Sequence, residues 1–243
     1  MTRPIQPIYL FSDSRPLFWR EKNELLLSRV RHRLGVASPS AAYVGASNGD
    51  DPQFYSIFTA AMAGIGVTDC RMILSSYSRN DQLFLDRADI ILLAGGDLER
   101  GWDVIERVGL KEELIRRYHC GSALLGISAG AIQIGQYGFR QDADKCISLF
   151  ETLKLAPLVV DVHEEKSGWE RLKTLIKFLA PGVKGIGIPS GGGIIYHPEN
   201  TVEALRLPAC EFSIRDKKLV RTFLFPRDKR NPQQESKTFH VID

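Results

Sequence analysis

Leu124-Leu125-Gly126-Ile127-Ser128-Ala129-Gly130-Ala131-Ile132-Gln133 is the stretch whose reading decides the fold. The apolar run from Ala123 to Ile127 reads as a buried strand, and Ala131-Ile132-Gln133-Ile134 begins a helical pattern. The small residues between them must then make a strand-to-helix turn. Gly-x-Ser-x-Gly in that position is the signature of a nucleophile elbow, and the reason is steric. So tight a turn leaves no room for side chains beside the serine, hence Gly126 and Gly130. It would hold Ser128 Oγ at the carboxyl end of the sheet and leave Ala129 N–H free to meet a developing oxyanion. An ordinary strand-to-helix turn made of small residues is the competing reading of these residues alone.

Upstream, strands and helices alternate. Ile8-Tyr9-Leu10-Phe11 reads as the first strand, ending at Ser12-Asp13-Ser14, and Arg15 to Leu34 carries apolar residues at helical spacing (Leu25, Leu26, Val30, Leu34). Ala41 to Ala46 is a second strand, running into the turn-rich Ser47-Asn48-Gly49-Asp50-Asp51-Pro52. A helix over about 53–64, a strand from Arg71 to Leu74 and a short helix from Asn80 to Arg87 follow. Asp89 to Ala94 is a strand ending in Gly95-Gly96-Asp97, and Trp102 to Tyr118 is helical with a break at Gly109. Such alternation predicts an α/β fold of three layers, a mostly parallel central sheet with helices on both faces. Ligands of such sheets bind beyond the carboxyl ends of the strands, which gathers Ser12-Asp13, Ser47-Asn48, Gly95-Gly96 and Ser128 on one edge.

Beyond the turn, Gly138 to Lys145 reads as a polar loop. Leu158 to His163 is a strand ending in a histidine, and the helix after it stops at Pro181-Gly182. Val183–Ile188, Gly193–Tyr196, Val202–Leu205 and Lys218–Phe225 form a later, partly antiparallel β section. No repeat or interdomain linker interrupts the chain, so residues 1–226 are read as one domain and 227–243, charged and proline-bearing, as a flexible tail.

With 44% hydrophobic and 25% charged residues, the chain has the composition of a soluble globular protein. A net charge of +3, with the basic residues scattered, gives no argument for nucleic acid. No apolar run reaches the ~18 residues that a membrane span needs. Met1 to Gln6 shows no signal-peptide core. Cys70, Cys120, Cys146 and Cys210 are widely spaced with no Cys-x-x-Cys, which argues against a zinc site or disulfide framework and suits a reducing cytoplasm. Neither metal nor organic cofactor is expected.

A serine nucleophile needs a base, usually histidine, and a group that orients the base. Of the five histidines, His32 and His119 lie in charged helical segments and His240 in the tail. His163 ends a strand on the functional edge and is the first candidate; His197, in a late turn before Pro198, is the alternative. Gly95-Gly96 has two readings, a tight turn or a pair of unobstructed N–H groups aimed at the oxyanion opposite Ala129.

Taken together, Ile90-Ile91-Leu92-Leu93-Ala94-Gly95-Gly96-Asp97, Gly126-Ile127-Ser128-Ala129-Gly130-Ala131 and Asp161-Val162-His163, with Gly168 and Arg171-Leu172 behind, resemble the peptidase E and cyanophycinase family, peptidase family S51. These are serine peptidases on a class I glutamine amidotransferase-like scaffold, and Gly185-Ile186-Gly187-Ile188 is similar to the family's Gly-Ile-Gly strand. The resemblance covers about residues 5–205. It implies hydrolysis of a small peptide or isopeptide bond next to an aspartyl or β-aspartyl residue, by an acyl-enzyme on Ser128, with His163 as base and Gly95, Gly96 and Ala129 at the oxyanion. The family usually carries an acid after the Gly-Ile-Gly strand to orient the histidine. Here Pro189-Ser190-Gly191-Gly192-Gly193 stands there, with Ser190 about where the acid should be. Asp161, two residues before His163 and on the same face of an extended strand, is the chosen substitute. Asp142, Asp144, Glu164 and Glu199 are the others. Asp97, Asn48, Ser190 and Arg15 are candidates for contacting substrate. The expected partner is a small peptide or amide, and a homodimer is the candidate assembly. A non-catalytic binding or regulatory homologue that has lost the triad acid is the alternative function. Glutamine amidotransfer is disfavoured, because serine stands where that chemistry uses cysteine.

Overall fold

Alternate residues of the central strands belong to two different cores, which is why those strands read as unbroken apolar runs. In the computed structural model, Ile8, Leu10, Ala42, Val44, Ile91, Leu93 and Leu124 face one core. Their neighbours Tyr9, Phe11, Ala41, Tyr43, Ile90, Leu92 and Leu125 face the other. The structure describes residues 3–141, 147–180 and 182–227. Asp142, Asp144, Cys146 and His240 lie outside them, as does the expected tail after Arg227.

In chain order the elements are β1 (Ile8–Phe11), β2 (Arg20–Glu21), β3 (Glu24–Leu25), α1 (Leu26–Leu34), β4 (Ser40–Val44), α2 (Pro52–Ala63), β5 (Asp69–Ile73) and α3 (Arg79–Leu85). Then come β6 (Ile90–Leu93), α4 (Leu98–Arg107), α5 (Leu110–His119), β7 (Ala123–Ile127), α6 (Ala129–Ile134), β8 (Tyr137–Gln141) and β9 (Ile147–Glu151). The remainder are β10 (Leu158–Val162), α7 (Glu170–Phe178), β11 (Lys184–Ile188), β12 (Gly193–Tyr196), β13 (Val202–Leu205), β14 (Ala209–Arg215) and β15 (Lys218–Leu224). The central sheet has seven strands in the order β13-β12-β1-β7-β6-β4-β5. From β1 to β5 its pairs are parallel, and β12 and β13 add an antiparallel edge. Helices α1 and α2 cover one face through Leu27, Val30, Phe58 and Met62. Helices α3 to α6 cover the other through Leu85, Trp102, Leu114 and Ile132. Each such side chain contributes about 1.5–3 kcal/mol by burial. This is the α/β architecture with a mostly parallel sheet that the alternation predicts.

Four departures concern the later chain and the first helix. The strand ending at His163 does not join the central sheet: β10 pairs with β11 in a second sheet of four, ordered β10-β11-β14-β15, with α7 packed on it. Strand β14, with Glu211 and Ser213 interrupting its apolar pattern, escaped the sequence reading. Residues 137–141 are a strand paired with β9, so the expected loop is the start of a hairpin. Finally, Arg15–Leu34 is not one helix. A 3₁₀ turn at Arg15–Phe18 leads to the small β2–β3 hairpin, turned by Lys22 and Asn23 at positive φ, before α1 begins.

Candidate active site

Ser128 sits between β7 and α6 with φ 50° and ψ −112°, a conformation that non-glycine residues rarely adopt and that costs on the order of 1–3 kcal/mol. The surroundings enforce it. Ser128 N–H donates to Phe11 O of β1 (2.9 Å), and the first turn of α6 bonds back through Ala131 N–H to Ser128 O (2.9 Å). A methyl on Gly126 would lie 2.6 Å from Gly130 O, and one on Gly130 only 2.1 Å from Leu93 O. Both neighbours are backbone, so neither glycine tolerates a side chain.

Gly95 and Gly96 follow β6 and run beside this turn: a Cβ on Gly95 would be 3.2 Å from Ser128 Cβ. Gly96 has φ 137°, and a Cβ there would meet Ser47 O at 2.2 Å. The loop is braced from α6 by Gln133, whose Nε2 donates to Ser47 Oγ (3.0 Å) and Leu98 O (3.3 Å). Asp97 corrects one expectation. Its carboxylate caps α4 by accepting from Arg100 N–H (2.9 Å), and it borders a different depression from the one at Ser128. Asn48 does line the Ser128 cavity, where its Nδ2 donates to Tyr43 Oη (2.6 Å). Burial pushes the Tyr43 hydroxyl up to about 12, which keeps it neutral.

His163 lines the same cavity as Ser128. It has φ 62°, beyond the end of β10, and its N–H donates to Ile188 O (3.3 Å). His163 is left-handed and lies past the last residue of β10, so the strand's alternation does not extend to it and gives no ground for pairing it with Asp161, and no hydrogen bond joins the two. That overturns the choice of Asp161 as orienting acid. Asp161 is fully buried and pairs with Arg171, at 2.5 Å from Nη2 and 3.1 Å from Nε. Burial raises its pKa, and Arg171 only partly offsets this. Glu164 contacts the same arginine (3.5 Å) and accepts from Ser167 Oγ (2.7 Å).

The partner of His163 is Ser190, with Nδ1 and Oγ 3.3 Å apart. Behind it stands Glu165, unnoticed in the sequence, whose Oε1 accepts from Ser190 N–H (3.2 Å) and whose Oε2 is buried. Burial works to raise the Glu165 pKa, but hydrogen bonding from Ser190 and the nearby His163 outweigh it and hold the carboxylate below its ordinary value. One signal could have found this trio. Parallel pairing of β10 with β11 puts Val162 opposite Ile188, so the residues that follow each strand emerge side by side.

His197 is excluded by register. Strand β12 runs antiparallel to β1 with Gly193 opposite Phe11 and Tyr196 opposite Ile8, which carries His197 to the far end of the sheet, 3.4 Å from Glu203. Glu199 is beside it, 3.9 Å from Nδ1. Arg15 folds back on Asp13, donating from its N–H, Nε and Nη2. Among the described residues no group of three or more His, Cys, Asp or Glu is placed to hold a metal ion. No helix among them is long and apolar enough to cross a membrane.

The chain's sequence matches the family model described as Peptidase family S51 over residues 10–203. Among solved structures, a peptidase from an acI-B1 Actinobacterium superposes with a TM-score of 0.63 at 15% identity, covering 98% of this chain and 99% of that one. A protein from Listeria monocytogenes EGD-e described as peptidase E gives a TM-score of 0.59 at 15% identity, over 84% of this chain and 100% of its own. At that identity the structural likeness speaks for the fold alone. A search of curated protein sequences finds no match.

Proposed function

The chain belongs to peptidase family S51, and on that premise we propose that it is a serine-type hydrolase that cleaves a small peptide or amide bond through an acyl-enzyme on Ser128. The observation that carries this reading is the strained Ser128, held by backbone contacts at the lip of a cavity that His163 also lines. Since Nδ1 of His163 is directed to Ser190, Nε2 is the nitrogen left to take the proton from Ser128 Oγ. The alkoxide adds to the substrate carbonyl, and the N–H groups of Gly96 and Ala129, with the backbone of Gly95 alongside, hold the oxyanion. His163 then gives its proton to the departing amine, and water, deprotonated by the same imidazole, releases the acyl group.

Ser190 is a positioning residue in this scheme: its oxygen accepts from His163 Nδ1–H and fixes the tautomer. Glu165 supplies, one residue further back, the negative charge that a hydroxyl lacks. The alternative of a non-catalytic homologue draws its support from Ser190 standing where the family has an acid, and Glu165 weakens that support. The aspartyl and β-aspartyl substrates implied by the resemblance are a finer expectation, and the lining of the cavity bears on it below. The free thiols of Cys70, Cys120 and Cys210 suit a cytoplasmic location.

The test is hydrolysis of a panel of dipeptides, α- and β-aspartyl ones included, by the wild type and by Ser128→Ala. Turnover that falls by ~10³ or more in the folded variant is expected. Turnover that survives the substitution would overturn the assignment.

A further inference from the structure

The cavity beside Ser128 has a volume of about 250 Å³, near the small end of the ~300–1,000 Å³ common for ligand pockets. That is room for one side chain. It opens on the α2 side of the sheet, and its walls are Leu17, Tyr43, Ile57, Phe58, Leu92 and Ile127. Several of these are inner residues of the protein itself: Leu17, Phe58 and Leu92 are 1%, 1% and 0% exposed. Tyr43 and Phe58 pack with ring centroids 5.3 Å apart, so the aromatic wall is fixed before anything binds.

Among the described residues no lysine or arginine lines the cavity; beside His163, the titratable group in its lining is Asp13. Burial works to raise the Asp13 pKa, yet hydrogen bonds from Arg15 and from Gly191 N–H outweigh it and keep the group an anion. Arg15 stands outside the lining of the cavity; its N–H, Nε and Nη2 donate to the Asp13 carboxylate, and its Nη1 lies beside Gly191. An aspartyl side chain entering here would give up its hydration without a counter-charge and would meet a like charge at the mouth, and both effects oppose binding. An apolar side chain meets the opposite conditions, since it leaves water for a preformed apolar surface.

We propose that this cavity is the subsite for the residue whose carbonyl Ser128 attacks, and that it selects a leucine-, methionine- or phenylalanine-like side chain over an aspartyl one. The inference rests on the reading of Ser128 as nucleophile. Gly95, Gly96 and Ser128 form the polar edge of the same cavity, so a carbonyl bound there carries its own side chain onto the apolar wall.

Aminoboronic acid analogues of leucine, phenylalanine and aspartate, competing with a fluorophosphonate for Ser128, test the two readings separately. The expected result is labelling of Ser128, with the leucine and phenylalanine analogues protecting it at concentrations ~10²-fold below the aspartate analogue, the scale on which a hydrophobic pocket discriminates. Protection by the aspartate analogue at an equal or lower concentration overturns the subsite and leaves the hydrolase standing. If Ser128 is not labelled at all, the hydrolase reading fails. The pocket is then judged by nuclear magnetic resonance binding of N-acetyl-leucinamide against N-acetyl-aspartamide, where preference for aspartamide, or none, overturns it. Ile57→Arg, on the half-buried pocket face of α2, adds the missing cation: it is expected to favour the aspartate analogue by ~10-fold or more and to weaken the leucine analogue. An unchanged ranking in a folded Ile57→Arg protein counts against the proposal.

Discussion

At the Ser128 turn the restraints are backbone packing around one short stretch together with backbone hydrogen bonds such as that to Phe11 O, whereas at the His163 corner they are hydrogen bonds that involve side chains of segments far apart in the sequence. Six consecutive residues, Gly126 to Ala131, make the turn, and the backbone atoms they crowd are fixed by the central sheet. The corner needs β10, the 3₁₀ turn at Glu165–Ser167 and the loop after β11 to come together, and its bonds of 3.2–3.3 Å are partly exposed. On the proposed function, one region would hold a strained nucleophile against relaxation, and the other an imidazole ring that changes partners during turnover. Rigidity of packing suits the first task and adjustable polar contacts suit the second.

The sharpest way to break the contrast is Gly130→Ala. Its Cβ would collide with Leu93 O, so a loss of about 3 kcal/mol or more in urea unfolding, or failure to fold, is expected. A loss under about 1 kcal/mol would mean that the turn is not sterically locked.

Ser190→Ala and Glu165→Gln probe the other region. Positioning groups behind a working residue are typically worth ~10–100-fold, so kcat is expected to fall by that order, more for Ser190→Ala, with KM nearly unchanged. Glu165→Asp should recover part of the loss. Equal falls in stability and activity, or a change confined to KM, would mark Glu165 as merely structural.

Asp161→Asn separates the two acids near His163. Asp161 is buried against Arg171, so about 2 kcal/mol of stability is expected to go, read by urea unfolding. Activity below the unfolding range should stay within ~2-fold of wild type. A large loss of kcat in a folded protein would restore Asp161 to the site.

The smallest effect concerns pH. The folded pKa of Glu165 lies below its ordinary value, so its contribution to stability is present above the unfolded carboxylate pKa of ~4.3 and is lost as pH falls through the folded value. Unfolding midpoints of wild type and Glu165→Gln should therefore converge in acid. Curves that stay parallel down to the acid limit would remove the charge from the account.

This contrast also explains what could be read from the chain. The Ser128 turn, the two-sided apolar strands β1, β4, β6 and β7, and the break at Gly109 are written in neighbouring residues, and each was legible. His163 was legible as a strand-end histidine. Its surroundings were not, because Ser190 and Glu165 are 25 positions apart and meet through β10–β11 pairing. Asp161 was misread because the alternation rule was carried one residue past the strand, onto a left-handed His163. Asp97 was misread because a cap and a substrate contact use the same short acidic side chain. The pocket was invisible for a plainer reason: Leu17, Tyr43, Phe58 and Leu92 look like core residues, and apart from the cavity they are.

The most direct test of the central claim is to trap the acyl-enzyme. Wild type and Ser128→Ala would be mixed with a p-nitrophenyl ester of N-acetyl-leucine and quenched in acid, and the digested protein weighed by mass spectrometry. The account predicts one added acyl group, mapped to the peptide carrying Ser128 and missing from the variant. An acyl group on another residue, equal labelling of Ser128→Ala, or rapid ester turnover with no serine-bound intermediate would contradict it.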